Sequence, residues 1–483
     1  MLFNSFEFLI FIPIVFLLYW LVASRNVKAQ NIFLIAISYF FYAWWDWRFL
    51  SLVLITTVST YVAAYYINVY KNQREKGNIA AKWILIGTLI LNIGILFFFK
   101  YYNFFVQSFI DAFQLFGKEL SISTLKIILP IGISFFTFSA LSYPIDVYKG
   151  KTAPTKDIIA FLAYVAFFPS LLSGPISRAT TQLPQFFTKR VFNYENISEG
   201  MKLMLWGFFM KLCVADRLGL YVDAVYNNLP QHNGTSLALA SFFYAFQLYA
   251  DFGGYSLLAI GCGRLFGIKL LDNFIRPYMA TSFAEYWKRN HISLTQWLMD
   301  YIYYPMVGQS DKLRWWNFSM IITFLISGLW HGADWSFVMW GLYQGLFIVI
   351  STNIAKRRKK FEKQHTLKNK RFYQALTILL TFTIVCFGLI FFRANSIADA
   401  FEVIRKVVAI RGTIFIADWN TMVYGILMLF ILIVKDFKDE FFTKLTFMNN
   451  KNIIIRWATY LFLIVLILSF GVLDNSQFIY FQF

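Results

Sequence analysis

Apolar residues run in long blocks that recur from one end of the chain to the other, at 6–23, 31–70, 79–99, 126–147, 157–177, 199–221, 235–262, 317–352, 372–392, 420–434 and 456–473. A helix needs roughly 20 mostly apolar residues to cross a hydrocarbon core about 30 Å thick, because each residue rises about 1.5 Å. Several blocks reach that length, and the longest must fold back on themselves. The pattern predicts an all-α, polytopic transmembrane helical bundle with about 10–13 membrane-embedded helices. Several blocks are broken by Gly, Pro or charge. Non-helical backbone at membrane depth survives only inside protein or beside a water-filled cavity, so the breaks point to a pocket. The first block lacks a basic leader and is followed quickly by others, which reads as a retained helix.

One interval departs from this pattern. From Asp272 to Pro305 the sequence DNFIRPYMATSFAEYWKRNHISLTQWLMDYIYYP mixes charge, aromatics and apolar residues too densely for a lipid-facing span. Amphipathic helices at the interface, or dipping into the protein, are expected there. No repeat, low-complexity tract or linker divides the chain, so residues 1–483 read as one membrane domain.

Composition agrees with the membrane reading: 59% of residues are hydrophobic, 14% are charged and 57 are Phe. The net charge of +19 would suggest nucleic acid in a soluble protein, but no stacking module accompanies it. Its focus is 356–371, where nine Lys or Arg stand against Glu362. The positive-inside tendency places this segment in the cytoplasm, and more weakly the one around Lys71, Arg74, Lys76 and Lys82. With three apolar blocks following the first of these, Phe483 is expected outside. Cys213, Cys262 and Cys386 lie in apolar surroundings and form neither a disulfide framework nor a metal spacing.

Of the four histidines, His232 and His365 sit in polar loops. His331 lies in FLISGLWHGADWSFVMWGLYQG, within a block long enough to cross the membrane. Intramembrane ionisable groups are costly and usually face a bundle interior or a water-filled cavity. Gly328 and Gly332 straddle Trp330 and His331, and glycines at this density permit a helix break. His291 follows Lys288, Arg289 and Asn290 in the interfacial interval. The two imidazoles are expected to line one cavity reached by water, as acid-base partners or metal ligands. No H-E-x-x-H pattern, third histidine or Cys cluster favours metal, and no G-x-S-x-G elbow or P-loop is present. A histidine base in an enclosed site remains.

The chain resembles the membrane-bound O-acyltransferase family, in particular its bacterial branch that O-acetylates alginate and peptidoglycan. The similarity is carried by MLFNSFEFLIFIPIVFLLYW at the start, LPIGISFFTFSALSYPIDVYKG at 129–150, FFPSLLSGPISR at 167–178 and YADFGGYSLLAIGCGRLFGI at 249–268. It continues through EYWKRNHISLTQWLMDYIYYP at 285–305, SGLWHGADWSFVMWGLYQG at 327–345, FFRANS at 391–396 and the closing VLDNSQFIYFQF. The core motifs fall within 129–345 and further helices occupy 372–473. The resemblance implies many helices around a central tunnel, with the family's histidine in the W-H-G motif at His331 and its helper in the H-I-S-L motif at His291. Asn290 stands where the family more often has an aromatic. Also implied are an acyl thioester donor on the cytoplasmic side, acetyl-CoA or an acyl carrier, with no bound cofactor and no metal. The implied acceptors are hydroxyls of an exported polysaccharide, and an exported SGNH-type acetyltransferase is the implied partner in a bacterial inner membrane.

An alcohol is a poor nucleophile toward a thioester, and the tetrahedral intermediate carries charge. His331 as general base would remove the hydroxyl proton, while His291 or backbone N–H groups steady the oxyanion or orient the base. Arg178, Asp251, Lys288, Arg289 and Trp330 are the expected substrate contacts, the charged ones because ions in an apolar protein need partners. Rival readings are a secondary transporter, a structural export subunit and a D-alanyl transferase to teichoic acid. The first lacks a matched pair of broken segments in two halves, and the second leaves the histidine motifs without a purpose.

Overall fold

A computed structural model describes residues 1–71, 73, 75–118, 120, 123–366, 370–473 and 479. Arg74, Lys368 and Phe483 therefore lie outside the described residues. The described residues are helical with irregular connections, and no strand occurs among them. They divide into two compact units, Met1–Met201 with Ala259–Leu271, and Lys202–Leu258 with Asp272–Phe483.

In the first unit, α1 (Phe6–Leu21), α2 (Val27–Asp46), α3 (Leu50–Lys71), α4 (Glu75–Leu115), α5 (Ile133–Tyr148) and α6 (Ile158–Ala166) follow one another. The apolar block 31–70 breaks where Asp46 caps a short turn, accepting from the Arg48 N–H at 3.0 Å. α5 begins only after Gly132, whose φ of +75° and close approach to the Leu171 carbonyl exclude a side chain. The buried Arg190 closes the unit: its Nε donates to the Tyr19 hydroxyl at 2.8 Å and its Nη2 to Asn31 Oδ1 at 2.7 Å. A guanidinium out of water needs such partners, and they fix α1 and α2 to one strap of chain.

α7 (Tyr194–Phe208) and α9 (Gly234–Leu265) each run from one unit's residues into the other's, with α8 (Asp216–Tyr226) between them. The second unit continues with α10 (Phe283–Arg289), α11 (Ile292–Leu298), α12 (Leu313–His331), α13 (Trp335–Gln364), α14 (Arg371–Arg393), α15 (Ile397–Ala409), α16 (Trp419–Phe441) and α17 (Ile453–Phe470). Among the described residues six helical stretches are long and apolar enough to cross a membrane, and the first, Val27–Lys71, contains both α2 and α3. This is a polytopic helical membrane protein.

The block 317–352 is a hairpin of α12 and α13, broken at residues 332–334. Its helices meet through small residues. A Cβ on Gly328 would stand 2.3 Å from the Phe337 carbonyl oxygen, and one on Gly341 would stand 2.4 Å from that of Phe324. Without side chains there, the two backbones approach closely, as small residues allow between membrane helices. Asp334 caps α13, its Oδ1 accepting from the Ser336 N–H at 2.7 Å. The basic run is not a loop at its start, because α13 continues through Lys356 and Arg358 to Gln364. Arg358 there pairs with Glu362 at 2.7 Å and donates to the Thr281 carbonyl at 2.6 Å.

Candidate active site

His331 is the last residue of α12, at the turn of the hairpin. Lys356 stands twenty-one positions after Trp335 on α13, about 30 Å at helical rise. The break thus puts His331 at the end of α13 away from the basic residues. His291 reaches the same place by another route. α10 runs along α13 from its basic end, with the Ala284 N–H donating to Ser351 Oγ at 3.2 Å and the Trp287 indole to Gln344 Oε1 at 3.2 Å. The chain then turns sharply at His291, whose φ of 44° lies in the left-handed region. A non-glycine residue held there is strained and persists only where its surroundings over-determine it.

The two imidazoles are nearly inaccessible, 2% and 3% exposed, and their ring centroids lie 6.2 Å apart. Trp330 touches both, 4.8 Å from His331 and 5.6 Å from His291. Trp340 and Phe392 stand edge-on to His331 at 4.9 and 5.1 Å, and Phe252 to His291 at 4.6 Å. The two imidazoles, Phe252, Trp340 and Phe392, with Tyr249, Tyr278, Tyr286 and Asn290, line a narrow cavity of about 20 Å³, roughly room for one water-sized occupant. The sequence anticipates the shared cavity. Its aromatic walls include Tyr286 and Trp287 of the interval 272–305, both of them buried.

Burial holds the His291 imidazole neutral, its pKa pulled down to about 3. A neutral imidazole offers one N–H and one lone pair, the two properties a proton-transfer partner needs. Among the described residues no group of three or more His, Cys, Asp or Glu is placed to hold a metal ion.

The other expected contacts fall elsewhere. Arg289 belongs to an ion cluster with Glu285 at 2.6 Å and Glu440 at 2.9 Å, joined by Arg276 to Glu440 at 2.7 Å. Lys288 is exposed. Asp251 accepts from Lys211 at 2.6 Å and from the Ile479 N–H at 2.9 Å, and Lys211 also reaches Asp216 at 2.7 Å. Lys211 lies on a π-helical turn, Phe209–Ala215. Arg178, half-buried, precedes a one-turn helix in the first unit. Sequence reasoning missed Asn273, which is 1% exposed and bonds to the His291 ring. Its signal was available: a polar residue opening the interval that contains His291.

The buried histidine pair thus lies at a helix break in a polytopic helical membrane protein. The chain belongs to the membrane-bound O-acyltransferase family, which it matches over residues 39–393. It is an acyltransferase. It is similar to a probable alginate O-acetylase AlgI of Pseudomonas syringae pv. tomato, 36% identical over 399 residues that cover 82% of this chain and 73% of the relative. A peptidoglycan O-acetyltransferase of Helicobacter pylori is 32% identical over 441 residues, 85% of this chain and 80% of the relative. A teichoic acid D-alanyltransferase of Bacillus subtilis matches less, 27% over 275 residues, 54% of this chain and 68% of the relative.

Proposed function

We propose that the chain moves an acetyl group from a cytoplasmic thioester, acetyl-CoA or an acyl carrier, to hydroxyls of an extracytoplasmic polysaccharide, alginate-like or peptidoglycan, at a bacterial inner membrane. The observation that carries the reading is the pair of buried imidazoles, 6.2 Å apart, beside an aromatic cavity at the turn of a helix hairpin. Relatives named for O-acetylation match more of the chain, at higher identity, than the relative named for D-alanyl transfer.

In this reading His331 takes the acceptor hydroxyl's proton as the oxygen attacks the thioester carbonyl, and returns it to the departing thiolate. A positioned base of this kind is worth about 10²–10⁴ in rate. Walls of Phe252, Trp340 and Phe392 keep water from competing with the hydroxyl, and the low dielectric strengthens every charge interaction inside. A passage reaching the histidines from both membrane faces brings donor and acceptor together, so neither crosses whole, and proximity supplies much of the acceleration. Lys288 meets the donor's phosphates, and an exported SGNH-type acetyltransferase receives or relays the acetyl group outside.

The test is a sided vesicle assay. Purified protein is reconstituted with radiolabelled acetyl-CoA inside and alginate or peptidoglycan glycan outside, with and without the exported partner. Label appearing on the polymer, directly or through the partner, supports the reading. Label transferred from a D-alanyl thioester but not from an acetyl thioester would replace it.

A further inference from the structure

The turn that carries His291 is held by Asn273, a residue outside both histidine motifs. Its backbone oxygen accepts from the Ile292 N–H at 2.9 Å, and two residues on, the Ile275 N–H donates to the Arg289 carbonyl at 2.8 Å. Its side-chain oxygen receives the Ser293 N–H at 3.1 Å and the Ser293 hydroxyl at 2.9 Å, and lies 3.3 Å from His291 Nδ1. The amide nitrogen donates to Ser256 Oγ at 3.1 Å.

This network fixes which way the amide points. A backbone N–H only donates, so the atom facing Ser293 must be the amide oxygen; the reversed amide would set two N–H donors against each other. The oxygen is an acceptor only. The nitrogen of His291 that meets it must therefore carry the proton, and in a neutral ring that leaves the lone pair on Nε2.

We infer that Asn273 is a positioning residue that locks His291 in the Nδ1–H tautomer, so that Nε2 enters the acyl-transfer site as a hydrogen-bond acceptor and not as a donor to an oxyanion. This rests on the acyl-transfer reading and deepens it by separating two roles for the second histidine. A lone pair at Nε2 accepts from the incoming hydroxyl or from a ring N–H of His331. It gives nothing to a carbonyl oxygen gathering negative charge, so that stabilisation falls to other donors around the cavity.

With four histidines in the chain, the tautomer is readable by ¹⁵N NMR of histidine-labelled full-length protein in lipid nanodiscs, the His291 signals being those lost in His291→Gln. The expected spectrum shows Nδ1 as the N–H nitrogen and Nε2 as the lone-pair nitrogen. Asn273→Leu, which keeps the backbone bond to Ile292, shifts the tautomer ratio by about tenfold, the worth of one hydrogen bond. It also lowers kcat more than it changes KM. Asn273→Asp, which keeps the acceptor oxygen, restores the wild-type tautomer. An Nε2–H tautomer in the wild type overturns the inference, as does a ratio unchanged in Asn273→Leu. If Asn273→Leu does not fold, the wild-type and Asn273→Asp spectra still decide. The tautomer is read without turnover, so failure of the acetyl-transfer reading and failure of this inference remain distinguishable.

Discussion

Replacing Lys211 by Met removes the cation from a cluster that water does not reach. The Lys211 side chain is 1% exposed, and so is that of Asp251; Asp216 is 7% exposed. The ammonium sits 2.6 Å from one carboxylate and 2.7 Å from the other. Without it, two buried carboxylates face each other, and each must take up a proton or stay charged in a poorly solvating interior. Breaking a buried pair by removing one partner costs about 3–5 kcal/mol, the loss expected for Lys211→Met. The assay is thermal unfolding of detergent-purified protein by size-exclusion fluorescence, where 1 kcal/mol corresponds to roughly 1 °C for a chain of 483 residues. Lys211→Met should melt well below the wild type. Adding Asp251→Asn should return part of the loss, since it deletes one stranded charge and leaves an acceptor for the Ile479 N–H. If Lys211→Met melts like the wild type yet loses activity, the cluster acts on substrate and the structural reading of Asp251 is wrong.

Three further outcomes are expected. Gly328→Ala should destabilise the hairpin by about 1–3 kcal/mol, because its methyl meets the Phe337 carbonyl at 2.3 Å; an unchanged melting temperature would show that the helices separate freely. A cysteine introduced at Lys360 should label only when an impermeant reagent has access to the cytoplasmic face, and labelling in intact cells would invert the topology. The His291 ring titrates near 3 when folded, against 6.5 ordinarily. Unfolding therefore takes up a proton below about pH 6.5, and stability falls as pH drops from there toward 3. His291→Gln should lose less melting temperature than the wild type between about pH 7.5 and 5; equal losses would mean that the folded ring is already protonated.

The helical class was legible because uninterrupted apolar length is a strong signal, and its spacing needed no tertiary information. The helix breaks were legible only as hints. Gly328 and Gly332 marked the place where 317–352 turns back, but the partner of Gly328 is Gly341, thirteen residues on, and that contact exists only once the hairpin forms. His291 and His331 were each marked by rarity and surroundings. Their meeting depends on α10 running along α13, which no local pattern encodes. The charged residues were the least legible. Arg289 and Asp251 look alike in sequence to substrate contacts, and their ion pairs with Glu440 and Lys211 are visible only in three dimensions. Asn273 was overlooked because an asparagine beside Asp272 reads as an ordinary turn residue, and its bonds to the His291 ring and Ser293 span 18 and 20 residues.

The most direct test of the acyl-transfer account is the rate of acetyl transfer by His331→Ala, measured on protein shown to insert and melt like the wild type. Alanine keeps the helix to its last residue and removes only the imidazole. The account predicts a loss of about 10²–10⁴ in kcat, with a milder loss for His291→Ala. A folded His331→Ala protein that transfers acetyl at the wild-type rate would contradict it.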